Sequence, residues 1–93
     1  MTARDATVRN AYGIHCRPSA LIAKAAQEYA GDITIAVTAK GAQADAKSML
    51  LLMGLGIRCG DVVKVTVAGD DEEKMLERMV GLFEKDFDFP RDD

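Results

Sequence analysis

The chain has 93 residues, a formal net charge of −3, 48% apolar residues and 29% charged residues. A chain of this length folds as one small domain with a modest core, and the composition is that of a globular protein. The negative charge argues against a nucleic-acid partner, because binding to a phosphate backbone requires a basic surface. The first residues contain no apolar leader core, and the longest apolar run, residues 49–53, is too short to cross a bilayer. We therefore expect a cytoplasmic protein that makes no use of a membrane.

The hydrophobic pattern predicts seven elements in the order β-α-β-β-α-β-α. These are strands over 3–9, 33–39, 42–45 and 61–68 and helices over 16–29, 47–55 and 70–85. The order favours an α+β domain of two layers, an open-faced sandwich in which the helices cover one face of a four-stranded sheet. We expect this domain to comprise residues 1–85, followed by an acidic tail over 86–93 that is flexible.

The sequence is organised around residues 10–21, N-A-Y-G-I-H-C-R-P-S-A-L, which place the only histidine, His15, directly before a predicted helix. Pro18 suits the first turn of that helix, where no amide hydrogen is needed. The unpaired backbone N–H groups at such a helix start, here those of Cys16 and Arg17, favour phosphate together with the helix dipole. His15 is therefore predicted to be a nucleophile that accepts a phosphoryl group, with the Arg17 guanidinium beside it.

Other roles for the same residues are open at this point. A lone histidine at a helix start can be a structural cap, although Gly13, Arg17 and Pro18 at fixed spacing favour phosphoryl transfer. A thiol enzyme built from Cys16 and His15 is a weaker hypothesis, because no third group is apparent to orient the imidazole. One histidine and two cysteines without paired spacing do not indicate a metal site. Phosphoryl transfer depends mainly on positioning and charge stabilisation, so we expect neither a metal nor a cofactor.

Three motifs occur in a fixed order along the chain. They are G-I-H-C-R-P-S-A over residues 13–20, K-S-M-L-L-L-M-G-L-G-I over 47–57 and G-D-V-V-K-V-T-V-A-G-D-D-E over 60–72. Together they resemble the HPr family, the histidine-containing phosphocarriers of the bacterial phosphoenolpyruvate-dependent sugar phosphotransferase system. The resemblance extends over residues 8–83, which is nearly the whole chain.

The resemblance implies a fold, a set of partners and roles for single residues. The fold is an antiparallel sheet of order 1-4-2-3 backed by three helices, in a protein that is a carrier and not an enzyme. His15 would accept a phosphoryl group on Nδ1 from Enzyme I and pass it to sugar-specific IIA components, with Arg17 beside the phosphoryl group. Ser48 would be the serine that an HPr kinase/phosphorylase modifies, and the modified form would bind a transcription factor. We expect a monomer.

Ser48 and the residues after it predict a second functional surface. Serine is a favoured N-cap, so Ser48 is expected to cap the short helix whether or not it is modified. Five consecutive helical residues turn fully around the axis, so the apolar run 49–53 cannot lie entirely against the sheet. We therefore expect a partner-docking surface made of Ile14, Met49, Leu50 and Met53. The alternative function is a mainly regulatory binding module that acts in carbon catabolite control through phosphorylated Ser48 and this apolar surface.

Overall fold

The computed structural model describes residues 1–86, and its element order confirms the predicted one. In chain order the elements are β1 (Thr2–Thr7), α1 (Cys16–Gln27), β2 (Asp32–Val37), a 3-10 turn (Thr38–Lys40), β3 (Ala42–Asp45), α2 (Met49–Gly54), β4 (Val62–Ala68) and α3 (Glu72–Glu84). The predicted tail over 86–93 lies outside the described residues except for Asp86.

The four strands form one antiparallel sheet in the order β1-β4-β2-β3. The last strand in the chain, β4, lies between β1 and β2, where Val65 pairs with Arg4 on one side and with Ile35 on the other. This order confirms the one that the family resemblance implied. It also confirms the prediction of an open-faced sandwich, because the helices supply their buried side chains to one face of the sheet.

The core forms between the helices and the alternating apolar residues of the two central strands. Strand alternation predicts which side chains point inward, since successive residues face opposite sides of a sheet. The buried positions are Ile33, Ile35 and Val37 of β2, Val63, Val65 and Val67 of β4, Ile22, Ala23, Ala25 and Ala26 of α1, Leu52 of α2, and Met75, Leu76, Met79, Val80 and Phe83 of α3. The helices are therefore held to the sheet mainly by burial of apolar surface.

Two loops that are far apart in the sequence meet at one end of the sheet. The loop before α1 contains Val8, which donates its N–H to the carbonyl of Asp61 at 2.9 Å and accepts a hydrogen bond from the N–H of Gly60 at 2.8 Å. A few residues later, the Ile14 N–H donates to the carbonyl of Ile57 at 3.0 Å. These bonds join residues 8–14 to residues 57–61 and fix the approach to the first helix.

Gly13 permits the closest of these contacts. Its φ is +72°, and a Cβ atom built on it would lie 2.4 Å from the carbonyl oxygen of Ile57 and 2.9 Å from Cα of Arg58. A side chain at this position would therefore meet backbone atoms, which cannot move aside as the end of a flexible side chain can. Only glycine fits both the left-handed backbone and the available space.

We expect Gly13→Ala to lower the free energy of unfolding by about 2 kcal/mol or more, since a left-handed non-glycine residue alone costs roughly 1–2 kcal/mol and the contact with Ile57 adds to it. The measurement is urea denaturation followed by circular dichroism. The control is Gly81→Ala in α3, where a Cβ meets nothing within 4 Å. There the helix should gain about 0.5–1 kcal/mol. Equal stability of the Gly13→Ala variant and the unsubstituted protein would contradict this account of the turn.

Candidate functional site

His15 is the N-cap residue of α1, with φ −92° and ψ −159°. Its carbonyl oxygen accepts the first helical hydrogen bond, from the N–H of Ser19 at 2.9 Å. The imidazole makes no capping hydrogen bond to the helix. The alternative in which His15 serves as a side-chain cap is therefore wrong. The backbone N–H groups of Cys16 and Arg17 lie in the first turn, ahead of the first intrahelical donor, as a helix start requires.

The turn before His15 is held by hydrogen bonds of Asn10, Gly13 and Ile14. Asn10 is buried, and its Nδ2 donates to the carbonyl of Gly13 at 2.7 Å, while the Gly13 N–H donates to the carbonyl of Asn10 at 2.8 Å. The buried hydroxyl of Ser19 donates to the carbonyl of Ile14 at 3.3 Å. These bonds restrain the backbone both before and after His15, so the chain enters α1 along a defined path.

The imidazole is half-buried beside an aromatic ring and a shallow cavity. The Tyr12 ring meets it edge-on, with 6.3 Å between ring centroids and 81° between planes. Nε2 has less than 1 Å² of accessible surface. The cavity has a volume of about 360 Å³, and Tyr12, Cys16, Met53 and Arg58 line it together with His15. A tetrahedral phosphoryl group is small enough for this space.

Ser48 is the N-cap of α2, as the sequence predicts. Its Oγ accepts a hydrogen bond from the N–H of Leu51 at 3.2 Å, and its carbonyl accepts one from the N–H of Leu52 at 3.0 Å. At the other end of the helix, the Lys40 ammonium donates to the carbonyl of Leu55 at 3.2 Å and to that of Gly56 at 2.8 Å. A cation at this end complements the helix dipole. Both ends of α2 are therefore fixed.

The outer face of α2 is apolar and exposed. Leu50 is 81% exposed, Leu51 is 54% exposed, and Met49 and Met53 are each 36% exposed. We call these four residues the α2 patch. Leu52 alone of the run points into the core.

Ile14 does not belong to this surface, contrary to the prediction. Its side chain is only 3% exposed and forms part of the core. The reason is the hydrogen bond from its N–H to the carbonyl of Ile57, which draws the loop before α1 inward. Proximity to His15 in the sequence did not decide which way the side chain points.

The structure brings four predicted residues together and adds two that the sequence did not indicate. The cavity is lined by Ile14, His15, Cys16 and Met53, so the far end of α2 reaches the histidine. Tyr12 and Arg58 line it as well. Tyr12 lies inside the histidine motif and could have been noticed there. Arg58 could not, because its position depends on the loop 57–61 returning to the start of α1.

Within residues 1–86, no three histidine, cysteine or acidic side chains are grouped so that they could hold a metal ion. Cys16 is half-buried, Cys59 is exposed, and both thiols are free. The Cys59 thiol donates to the carbonyl of Arg9 at 3.6 Å, which adds to the contact between the two loops. None of the helices in this part of the chain has the length and apolar character needed to cross a membrane.

A half-buried histidine at the start of a helix, on an open-faced four-stranded sheet, defines the class of small histidine phosphocarriers. The family model described as the PTS HPr component phosphorylation site matches residues 2–85. The phosphocarrier protein HPr of Haemophilus influenzae is 33% identical over 82 residues, which cover 88% of this chain and 94% of that protein. The chain therefore belongs to the HPr family, the phosphocarrier proteins of the phosphotransferase system, which are carriers and not enzymes.

Solved structures agree with this assignment. The HPr structure from Thermoanaerobacter tengcongensis superimposes with a TM-score of 0.82 at 32% identity, and the match covers 89% of this chain and 91% of that one. The phosphocarrier protein HPr from Bacillus anthracis superimposes with a TM-score of 0.83 at 29% identity, over 89% of this chain and 96% of that one. The fold and the family thus follow from independent comparisons of shape and of sequence.

Proposed function

We propose that the protein carries a phosphoryl group on Nδ1 of His15. It accepts this group from Enzyme I, with phosphoenolpyruvate as the ultimate donor, and passes it to IIA components for sugar uptake. The observation that carries the proposal is the position of the imidazole at the start of α1, beside a cavity, with Nε2 shielded from solvent. Because a phosphoryl group cannot reach a shielded nitrogen unless the ring moves, Nδ1 is the reactive atom.

The transfer needs a neutral imidazole with its ring proton on Nε2. The lone pair of Nδ1 forms a bond to phosphorus while the bond between phosphorus and the donor breaks, and the electron pair of that bond returns to the donor. Charge on the three phosphoryl oxygens is stabilised by the N–H groups of Cys16 and Arg17 and by the Arg17 guanidinium. A helix terminus contributes about 0.3–2 kcal/mol to a nearby anion. This is too little to trap the group, which suits a carrier that must release it.

We expect His15→Ala to abolish phosphorylation by Enzyme I and phosphoenolpyruvate. The unsubstituted protein should take up one phosphoryl group per chain, labile in acid and stable in base, as a phosphoramidate is. The imidazole makes no capping bond, so the variant should keep its fold. The measurement is radiolabel incorporation together with a thermal melt. A folded His15→Ala protein that still becomes stably labelled would show that another residue is the acceptor.

We propose that the α2 patch docks Enzyme I and the IIA proteins. An exposed group of apolar side chains on a small domain usually marks a partner site. The two methionines suit a surface that must fit several partners, because their side chains are flexible. Met53 extends from this surface to the cavity at His15, so a partner seated on α2 would lie against the acceptor.

The test of docking is Leu50→Glu. A charge placed in an apolar interface must be desolvated, so the affinity for Enzyme I should fall about tenfold or more, which is a loss of about 1.4 kcal/mol. The control is Val62→Glu on β4, a half-exposed position whose side chain lies on the sheet face away from the helices. That variant should bind normally. Unchanged affinity of a folded Leu50→Glu protein, measured by calorimetry, would exclude Leu50 from the interface.

We propose that phosphorylation of Ser48 by an HPr kinase/phosphorylase regulates this docking. The phosphate would add about −1.5 to −2 charges at pH 7. At the N-cap of α2 that charge is favoured by the helix dipole and by the N–H of Leu51, which already donates to Oγ. The fold is therefore expected to tolerate it. The effect falls on partners, because Met49 and Leu50 follow directly and the phosphate brings its hydration into an apolar interface.

Two variants separate regulation from capping. Ser48→Asp should slow labelling of His15 severalfold without loss of thermal stability. Ser48→Ala should be labelled at the normal rate but lose about 0.5–2 kcal/mol of stability through the missing cap. The measurement is the initial rate of labelling at equal Enzyme I, with urea denaturation of both variants. Equal labelling rates would leave Ser48 as a helix cap alone.

We propose a mainly regulatory function as the alternative. In this alternative the serine-phosphorylated protein binds a transcription factor in carbon catabolite control, and phosphoryl transfer through His15 is secondary. This alternative is supported by the position of Ser48, which caps α2, is half-buried and lies next to the α2 patch. It becomes the main function if the protein is not labelled by Enzyme I but is modified on Ser48.

We also propose that the protein acts as a monomer in the cytoplasm. The free thiols of Cys16 and Cys59 suit a reducing compartment. The acceptor histidine and the α2 patch belong to one chain, so the proposed site needs no second copy.

A further inference from the structure

The wall of the His15 cavity opposite α1 is formed by the loop after α2. Arg58 lies in this loop and lines the cavity together with Tyr12, Cys16 and His15. Its side chain is exposed, so the guanidinium is accessible to a group bound at the cavity. Apart from the histidine itself, Arg58 is the one ionisable cation among the residues that line this space within the described part of the chain, and no carboxylate lines it.

The backbone of Arg58 is held in place. Its N–H donates to Oδ2 of Asp61 at 2.8 Å, and its carbonyl accepts from the N–H of Asp61 at 3.0 Å. The carbonyl of Asp61 in turn accepts from the N–H of Val8 on the neighbouring loop. On the other side, the position of a Cβ on Gly13 would be only 2.9 Å from Cα of Arg58. The backbone of Arg58 is therefore fixed. It lies across the contact between the two loops from Gly13, which is two residues before His15 in the sequence.

The charge at the His15 cavity is opposite in sign to the net charge of the chain. The protein carries a formal net charge of −3, yet an arginine is fixed at the cavity and a second one, Arg17, lies in the first turn of α1. A phosphoryl group on Nδ1 has three oxygens that carry negative charge. The start of α1, which carries Arg17, adjoins His15 on one side, and Arg58 lines the cavity from the loop after α2. A guanidinium offers paired donors that match phosphoryl oxygens.

We propose that Arg58 donates hydrogen bonds to the phosphoryl group carried on His15, as a second guanidinium besides that of Arg17. The inference rests on the proposed function, since it requires His15 to be the acceptor. Its consequence is thermodynamic: Arg58 stabilises the phosphorylated form of the protein and thereby shifts the exchange with Enzyme I toward the carrier.

The test is the equilibrium of phosphoryl exchange between Enzyme I and the carrier, measured by quenching the reaction and separating the phosphorylated species. This equilibrium depends only on the free proteins, so a residue that merely docks a partner cannot change it. Arg58→Ala should lower the equilibrium constant about three- to tenfold. The control is Arg4→Ala on β1, which changes the net charge equally but lies away from the cavity. That variant should leave the constant unchanged.

The outcomes distinguish this inference from the proposed function. If the unsubstituted protein is labelled on His15 but Arg58→Ala, shown to be folded by its thermal melt, has the same equilibrium constant, the inference is wrong and the proposed function stands. A higher KM for Enzyme I with an unchanged constant also overturns it, because Arg58 is then a docking residue. If the unsubstituted protein is not labelled on His15, the proposed function itself has failed. A lower constant in Arg58→Ala and not in Arg4→Ala supports the contact.

Discussion

The contact between Gly13 and the backbone of Ile57 controls the geometry of the whole site. It joins two loops that are separated in the chain by α1, β2, β3 and α2, and no side chain larger than hydrogen fits at Gly13. The hydrogen bond from Ile14 to Ile57 lies next to it. Because His15 directly follows Ile14, the position of the imidazole depends on the opposite loop as well as on its own helix. The same contact brings Arg58 to the cavity.

The helix α2 connects the two proposed functional positions. Ser48 caps its first turn, and Met53 near its end lines the cavity at His15. A helix of six residues gains little from its own hydrogen bonds. It is instead held by the Ser48 cap, by Leu52 in the core and by the Lys40 ammonium, which binds the two carbonyls that follow the helix. A charge added at Ser48 would therefore act on a surface whose other end reaches His15.

Features that depend on neighbouring residues could be predicted from the sequence, and features that depend on distant segments could not. The alternation in 33–37 and 63–67 predicted the buried strand face correctly, because neighbouring residues in a strand must face opposite sides. The first helix was predicted to reach residue 29 but ends at Gln27, since the N–H groups of Glu28 and Tyr29 bond to carbonyls three residues back. The burial of Ile14 was missed because a loop from residues 57–61 draws it inward.

The sequence by itself determined the order of the elements, the inward faces of the strands, the Ser48 cap and the position of His15 at a helix start. Each of these depends on residues that are close together in the chain, through periodicity, capping or backbone conformation. Only the tertiary structure decided that Met53, Tyr12 and Arg58 share a cavity with His15 and that the Ile14 side chain is buried. These features depend on two distant loops meeting, and local residue patterns carry no information about which distant segment will pack against them.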